Sequence, residues 1–189
     1  VEQGSTQILL GLGGSCTNDG GCGCAAALGV RFLDRAGQAF VPTGGTLDQI
    51  AHIDVSGARQ LLQTVELTAM CDIDNPMHGP TGASYIFGPQ KGADPAMVEF
   101  LDGQLKALDA VIQRELHRAV ADVPGAGAAG AFGAGILAFL DGTLCPGIEA
   151  VLDLVDFDGK LKDCDLVITG EGRFDSQSIR GKVVSGVSR

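Results

Sequence analysis

The chain alternates short apolar runs with polar, glycine-rich stretches. Residues 7–12, QILLGL, form an apolar run of strand length, and residues 63–73, QTVELTAMCDI, form a second. Residues 164–169, CDLVIT, form a third. Turn-forming residues bound each run, as is typical of buried strands. We therefore predict three buried strands, each ending in a polar loop.

One segment has a clear helical period. Apolar residues recur at spacings of three and four between residues 97 and 116, and Asp94-Pro95 precedes them as a cap and a first helical residue. This pattern predicts an amphipathic helix, although Gly103 inside it costs about 1 kcal/mol against alanine. The members of the apolar stripe are Met97, Leu101, Leu105, Leu108, Ile112 and Leu116.

Further elements follow from composition and turn signals. We predict a helix in CGCAAALGV (22–30), which Asn18 or Asp19 caps, and a glycine-rich entry into an apolar helix over 124–140. We also expect a helix near 148–154. Residues 30–40 look extended and residues 44–45 mark a turn.

The alternation of strands and helices predicts an α/β fold. We expect a parallel or mixed sheet with helices packed on it and glycine-rich loops at the carboxyl ends of the strands. Those loops are residues 15–19, 72–75 and 171–175. If the three strands are parallel neighbours, the loops converge on one site, because ligands of open α/β sheets bind at that edge.

Composition narrows the class of protein. The chain has 189 residues, 45% of them hydrophobic, and a formal net charge of −10. This charge argues against non-specific binding to nucleic acid or to anionic membranes. No apolar stretch is long enough to span a bilayer and nothing resembles a signal peptide, so we expect a cytoplasmic protein. The six cysteines form no CxxC pair, which favours buried or loop thiols over a zinc site.

Both ends of the chain suggest a longer polypeptide. The sequence begins without methionine, and it stops in GKVVSGVSR (181–189), where an apolar pattern starts without a terminator. We therefore expect this chain to be a fragment.

The stretch GLGGSCTNDGG (11–21) is a candidate anion site. Its glycines allow backbone N–H groups to approach a ligand, and the following helix N-terminus favours negative charge. Ser15 and Thr17 could add hydroxyl donors, and Asp19 could hold a metal or act as a base. The alternative is a tight strand–helix turn with a cap. No GK[ST] follows, so the stretch is not a P-loop.

A literal GxGxxG occurs at Gly125, Gly127 and Gly130. No strand leads into it, whereas a dinucleotide fingerprint requires strand, turn and helix. A glycine-rich anion loop or a close helix contact fits better.

Two further stretches carry candidate chemistry. CDIDNP (71–76) places Asp72, Asp74 and Asn75 just past a strand, where they would bind a metal or a hydroxyl, or form an Asx turn. FGPQKG (87–92) offers Lys91, which would contact phosphate unless it is merely solvated. His78 lies in the loop after Asp74 and is the histidine most worth testing.

The stretch LVITGEGRFDSQS (166–178) ends an apolar run in two acids and a base. Glu171 and Asp175 could hold Mg²⁺, and Arg173 could neutralise charge on a transferring phosphoryl group. The alternative is a surface salt bridge in a capped turn.

These motifs together resemble a known family. GLGGSCTNDGG, MCDIDNPMHGPTGASYIFGPQKGA, VPGAGAAGAFGAG and LVITGEGRFDSQSIRGK occur in the order found in bacterial glycerate kinases of the glycerate 2-kinase type. The resemblance covers essentially the whole chain. It implies a two-domain α/β enzyme, of which residues 1–189 are the central portion. This portion is mostly the smaller inserted domain with its junction to the larger one, and the family's N- and C-terminal segments are absent.

The resemblance also implies an activity and a set of site residues. The full-length parent would use ATP and Mg²⁺ to phosphorylate D-glycerate, with the resemblance favouring the 2-hydroxyl. The family motifs match at positions of this chain, and the roles we give them are hypotheses from chemistry. The expected catalytic residues are Asp72, Lys91, Arg173 and Asp175, and the expected metal ligands are Glu171 and Asp175. The expected substrate- or phosphate-binding residues are Gly13, Gly14, Ser15, Thr17, Asn18, Asp19, Asn75, Gly125 and Gly127.

Two other functions remain open at this point. A dinucleotide-dependent oxidoreductase would use the Gly125–Gly130 loop. A non-catalytic module would only bind a ligand, and we expect the isolated chain to be inactive, because a site shared between domains loses its proximity advantage when one is absent. The expected partners are small-molecule substrates and not nucleic acid or membrane, and a homodimer is compatible with the sequence.

Overall fold

The computed structural model describes residues 1, 3–162, 164–170 and 183–188. Among them, no helix combines the length and apolar character that crossing a membrane requires. The fold is α/β, as the sequence predicts.

A three-stranded parallel sheet organises the chain. Strand β1 (Gln7–Gly11) pairs with β5 (Glu66–Met70), and β5 pairs with β6 (Thr143–Cys145), giving the order β1-β5-β6. The predicted strands in 7–12 and 63–73 are confirmed. Strand β6 was not predicted, because three residues are too few to show a hydrophobic period.

A second, antiparallel sheet has the order β3-β2-β4. It comprises β2 (Arg31–Leu33), β3 (Ala39–Phe40) and β4 (His52–Asp54). The predicted extended stretch is thus confirmed in two parts. A turn separates them, held by Asp34, whose carboxylate accepts from the N–H groups of Ala36 and Gln38.

Helices pack around the two sheets, and four of the eight described helices were predicted. The predicted four are α1, α4, α5 and α6, while the short helices α2, α3, α7 and α8 were missed. The described helices are α1 (Cys22–Ala27), α2 (Ser56–Leu62), α3 (Ala83–Phe87), α4 (Pro95–Leu116), α5 (Ala128–Phe139), α6 (Gly147–Leu154), α7 (Phe157–Leu161) and α8 (Val183–Val187).

Helix α4 begins as its sequence predicts. The side chain of Asp94 accepts from the N–H of Met97 at 2.8 Å, and Pro95 occupies the first helical position. Leu105, Leu108 and Ile112 are fully buried. These three residues belong to the main core, which joins the two sheets to the helices, whereas Met97 at the start of the predicted stripe is exposed. Phe32 on β2 contacts Phe139 on α5 edge to face, with ring centroids 5.4 Å apart.

The prediction of a third strand at 164–169 is wrong. Residues 164–170 have no regular secondary structure, and Leu166 and Ile168 are 76% and 88% exposed. A strand requires a neighbour to complete its hydrogen bonds. None of the described strands pairs with this run, so its apolar character alone does not make it a strand.

Helix α5 opens with an unusual turn. Ala129, Gly130 and Ala131 all have left-handed backbone angles, with φ of 53°, 68° and 69°. At Gly130 the turn passes close to the loop after β1, and a Cβ there would lie 2.0 Å from the carbonyl oxygen of Thr17. Only glycine tolerates both this conformation and this approach.

This contact predicts opposite effects for two glycine-to-alanine changes. Gly130→Ala should lower the free energy of unfolding by at least about 2 kcal/mol, because the new Cβ clashes and left-handed alanine is strained. Gly103→Ala is the matched control, since a Cβ at this exposed site on α4 meets nothing within 4 Å. It should raise the free energy of unfolding by up to about 1 kcal/mol. Urea denaturation of both variants measures these changes, and equal effects would contradict the close contact.

Candidate functional site

The loops that follow β1 and β5 meet at one edge of the sheet. Parallel pairing sets Gly11 beside Met70, so both chains leave the sheet in the same direction. A cavity of about 310 Å³ lies there. Among its lining residues are Gly13, Gly14 and Ser15 from the first loop, Asp72 from the second, and Lys91. Two of the three predicted loops therefore converge as expected.

The glycine-rich loop presents backbone donors at this cavity. In the part of the chain that the structure describes, no protein acceptor takes the N–H groups of Gly13, Gly14 or Ser15. Gly14 has a φ of 69°, which bends the loop next to its free donors. The residues that carry these unpaired N–H groups line the cavity, and such donors suit an anion such as phosphate or carboxylate.

Lys91 brings a cation to the same cavity. It ends a short 3₁₀ turn (Pro89–Lys91) after α3, and its Nζ donates to the carbonyl oxygen of Thr17 at 2.7 Å. Burial lowers the pKa of Lys91 below its usual range, while Cys16 and Asp19 partly oppose this. An ammonium has three donors. The hydrogen bond to Thr17 therefore fixes the side chain and leaves donors for a ligand.

Asp72 lines the cavity and also caps a helix. Its Oδ1 accepts from the N–H of Gly147, the first residue of α6, at 2.8 Å. This contact satisfies a free helix donor and fixes the carboxylate at the cavity edge.

Three predicted ligand residues of the first loop instead shape that loop. Asn18 donates through Nδ2 to the hydroxyl of buried Ser84 at 3.1 Å. The two carboxylate oxygens of Asp19 accept from Gly21 and Gly23, which confirms a capping role at α1. Thr17 makes a long contact from its hydroxyl to the carbonyl of Ala129, at 3.5 Å. These three side chains do not line the cavity at this edge of the sheet.

Asn75, Gly125 and Gly127 form a packed junction. Asn75 donates through Nδ2 to the carbonyl of Thr81 at 2.8 Å, and its own carbonyl accepts from the N–H of Gly127 at 2.9 Å. A Cβ on Gly127 would lie 2.3 Å from the carbonyl oxygen of Pro76. Both glycines are buried and absent from the cavity lining. The motif therefore serves close packing, and with no strand leading in, a dinucleotide site is not favoured.

Glu171, Arg173 and Asp175 lie outside the described residues, so their predicted roles stay predictions. Within the described ranges, no group of three or more His, Cys, Asp or Glu side chains is placed to hold a metal ion.

All six cysteines are free thiols, and burial raises the pKa of Cys22 well above its usual range. Such a thiol is a poor metal ligand.

Sequence reasoning missed several lining residues. Phe87 and Gln90 line the cavity and precede Lys91 in the same FGPQKG motif, so that motif could have indicated them. Ala128 and Ala129 also line it. Their apolar side chains carry no chemical signal, and only the left-handed turn at the start of α5 brings them there.

Comparison with known proteins identifies the family. The model of the glycerate kinase family matches residues 1–189. The chain belongs to the glycerate kinase family. It is 49% identical over its whole length to a glycerate kinase of Halalkalibacterium halodurans, covering 50% of that protein. It is also 49% identical over 188 residues to the glycerate 2-kinase of Escherichia coli, covering 49% of that protein.

A solved structure of the family has the same fold. The crystal structure of a Salmonella typhimurium LT2 protein assigned as glycerate kinase 2 aligns with a TM-score of 0.90 and 47% identity. The alignment covers 99% of this chain and 50% of that one. The chain thus spans about half the length of the family members it matches.

The environments of two lysines predict different reactivities. Lys91 should have a lowered pKa through burial, whereas the hydrogen bond and ion pair to Asp102 raise the pKa of Lys106. Competitive labelling with acetic anhydride across pH 8 to 12 measures each pKa. The midpoint for Lys91 should fall below the ordinary value of about 10.4, and that for Lys106 above it. Coincident midpoints would contradict the buried setting of Lys91.

Proposed function

We propose that this chain forms part of a glycerate kinase that transfers the γ-phosphoryl group of ATP to D-glycerate. The match of the family over residues 1–189 carries the proposal, and the cavity supports it. The Escherichia coli relative is named a glycerate 2-kinase. We therefore propose 2-phosphoglycerate as the product.

The cavity has the donors that phosphoryl transfer needs. This reaction depends mainly on positioning and on stabilising negative charge. The free N–H groups of Gly13, Gly14 and Ser15 would bind phosphate or carboxylate oxygens, and the Lys91 ammonium would neutralise charge beside them. Because the Thr17 carbonyl already holds Lys91, little reorganisation is needed when an anion arrives.

Asp72 supplies the complementary carboxylate. We assign it either to accept the proton of the glycerate hydroxyl or to hold Mg²⁺ together with the proposed ligands Glu171 and Asp175. One or two carboxylates plus phosphate oxygens fit the usual protein environment of Mg²⁺. When bound, Mg²⁺ would neutralise charge on the phosphates. Arg173 is proposed to act on the same charge.

The size of the cavity bears on the arrangement of substrates. At about 310 Å³ it lies at the lower end of the range for small-molecule sites. It suits glycerate or the phosphates of ATP better than both whole substrates. We therefore propose that residues beyond those lining it complete the site in the full-length enzyme, and that the isolated chain is inactive.

Phosphorus NMR tests the proposed reaction. The full-length protein is incubated with MgATP and D-glycerate, and the phosphorylated product is followed over time. A 2-phosphoglycerate signal is expected. A 3-phosphoglycerate signal would retain the kinase but change the substrate orientation, and transfer only to other hydroxy acids would reject D-glycerate as substrate.

The role of Asp72 predicts a specific mutant phenotype. Asp72→Asn keeps an oxygen that accepts from Gly147 but removes the charge, so α6 should stay capped. We expect kcat of the full-length enzyme to fall at least about tenfold. Asp74→Asn is the control, since Asp74 lies on the same loop but does not line the cavity. A kcat close to wild type for Asp72→Asn would leave Asp72 only as a helix cap.

A further inference from the structure

Helix α4 carries two buried carboxylates that the proposed chemistry does not use. Asp102 is 1% exposed and Asp109 is 8% exposed. Their spacing of seven residues, two helical turns, puts them on one face. Both contact the segment 77–82, which joins the loop after β5 to α3. Burying a carboxylate costs free energy unless hydrogen bonds compensate, so the contacts of these two define their role.

Asp102 holds the backbone of this segment. Its Oδ1 accepts from the N–H of Gly79 at 2.7 Å, and its Oδ2 pairs with Lys106 Nζ at 2.7 Å. A hydrogen bond from a backbone N–H to a buried, charged carboxylate is stronger than one between two neutral groups. Lys106 is more than half exposed, so solvent screens the ion pair, and the hydrogen bond to Gly79 is the contact that holds the segment.

Asp109 holds the side chain next to it. Its Oδ2 lies 3.2 Å from Nε2 of His78 and accepts from Nε2 of Gln113 at 2.9 Å. In the described part of the chain its other oxygen has no hydrogen-bond partner. The segment is thus anchored at two successive residues from a single helix.

The anchored segment leads directly to both halves of the cavity. It follows Asp72 along the chain and precedes Ser84, which bonds Asn18 of the glycine-rich loop. Helix α3, which contains Ser84, ends at Phe87, and the 3₁₀ turn that follows it carries Lys91, which donates to the carbonyl of Thr17. Displacing the segment would therefore shift the supports of the loop that carries the free N–H groups.

We propose that Asp102 and Asp109 are positioning residues for the cavity. They fix the segment 77–82. Through Ser84 and Lys91 they also fix the conformation of the glycine-rich loop in which its backbone N–H groups are free to bind an anion. The expected effect on catalysis rests on the proposed function of the cavity. The expected effect on the conformation of the loop does not depend on that function. A role confined to general stability would instead weaken all parts of the fold together.

Hydrogen exchange at single-residue resolution tests the structural half in the full-length protein. In Asp102→Ala, the amides of Gly79, Gly82 and Ala83 should exchange about tenfold faster, as should the amide of Gly20, which bonds the Gly130 carbonyl at the end of the glycine-rich loop. Amides of the β2–β4 pair should not change. Faster exchange at Gly79 alone, or everywhere equally, would overturn the proposal.

Kinetics with conservative variants test the catalytic half. Asp102→Ala should lower kcat/KM for D-glycerate about tenfold. Asp102→Asn keeps an acceptor for Gly79 and should return kcat/KM to within about threefold of wild type, as should Lys106→Ala, which removes only the ion pair. If Asp102→Asn is as impaired as Asp102→Ala, the hydrogen bond to Gly79 is not the determinant and the proposal fails.

A second variant and the wild-type assay distinguish failure of this proposal from failure of the proposed function. If Asp102→Ala does not fold, Ser84→Ala is used instead, because it removes the hydrogen bond to Asn18. This variant should speed exchange of the Gly20 amide and lower kcat/KM for D-glycerate. No change in either quantity would overturn the proposal. If the wild-type protein does not phosphorylate D-glycerate, the proposed function fails, whereas the exchange pattern still decides whether the segment positions the loop.

Discussion

The parallel pairing of β1 with β5 is the constraint on which the site depends. Their ladder extends past the strand ends, with Glu66 N–H donating to the Thr6 carbonyl and Leu12 N–H donating to the Met70 carbonyl. Residues that pair between the two strands lie 59 positions apart in sequence, as Gln7 and Glu66 do. Only their direct pairing brings the glycine-rich loop and the Asp72 loop together, so the candidate site follows from the sheet.

Backbone packing then gives those loops their shape. The entry to α5 lies against both of them, with Gly127 against Pro76 and Gly130 against Thr17. Side chains at these two glycines would occupy the space that the loops need. The Gly- and Ala-rich composition of 124–131 is therefore a requirement of close approach, and Ala129 reaches the cavity because of it.

The sequence predicted the parts of the fold that have strong local signals. Strand β1, strand β5 and helix α4 each have a clear hydrophobic pattern with recognisable ends. The run at 164–169 has the same apolar character but no pairing strand among the described residues, and a local pattern does not reveal a missing neighbour. The assignment of α/β class depended on the alternation of elements and not on every strand.

The site was predictable in its location more than in its roles. Glycine-rich stretches and Lys91 marked the cavity, but Asn18, Asp19 and Asn75 face neighbouring backbone or side chains, which depends on tertiary contacts. Asp102 and Asp109 lie at polar positions beside the apolar stripe of α4, so the hydrophobic period of the helix predicts that they are exposed. The topology also leaves residues 22–65, which lie between the glycine-rich loop and β5, without a side chain in the cavity lining. Substitutions in that segment therefore reach the cavity only indirectly, through the core that Phe32 and Leu47 share with the helices.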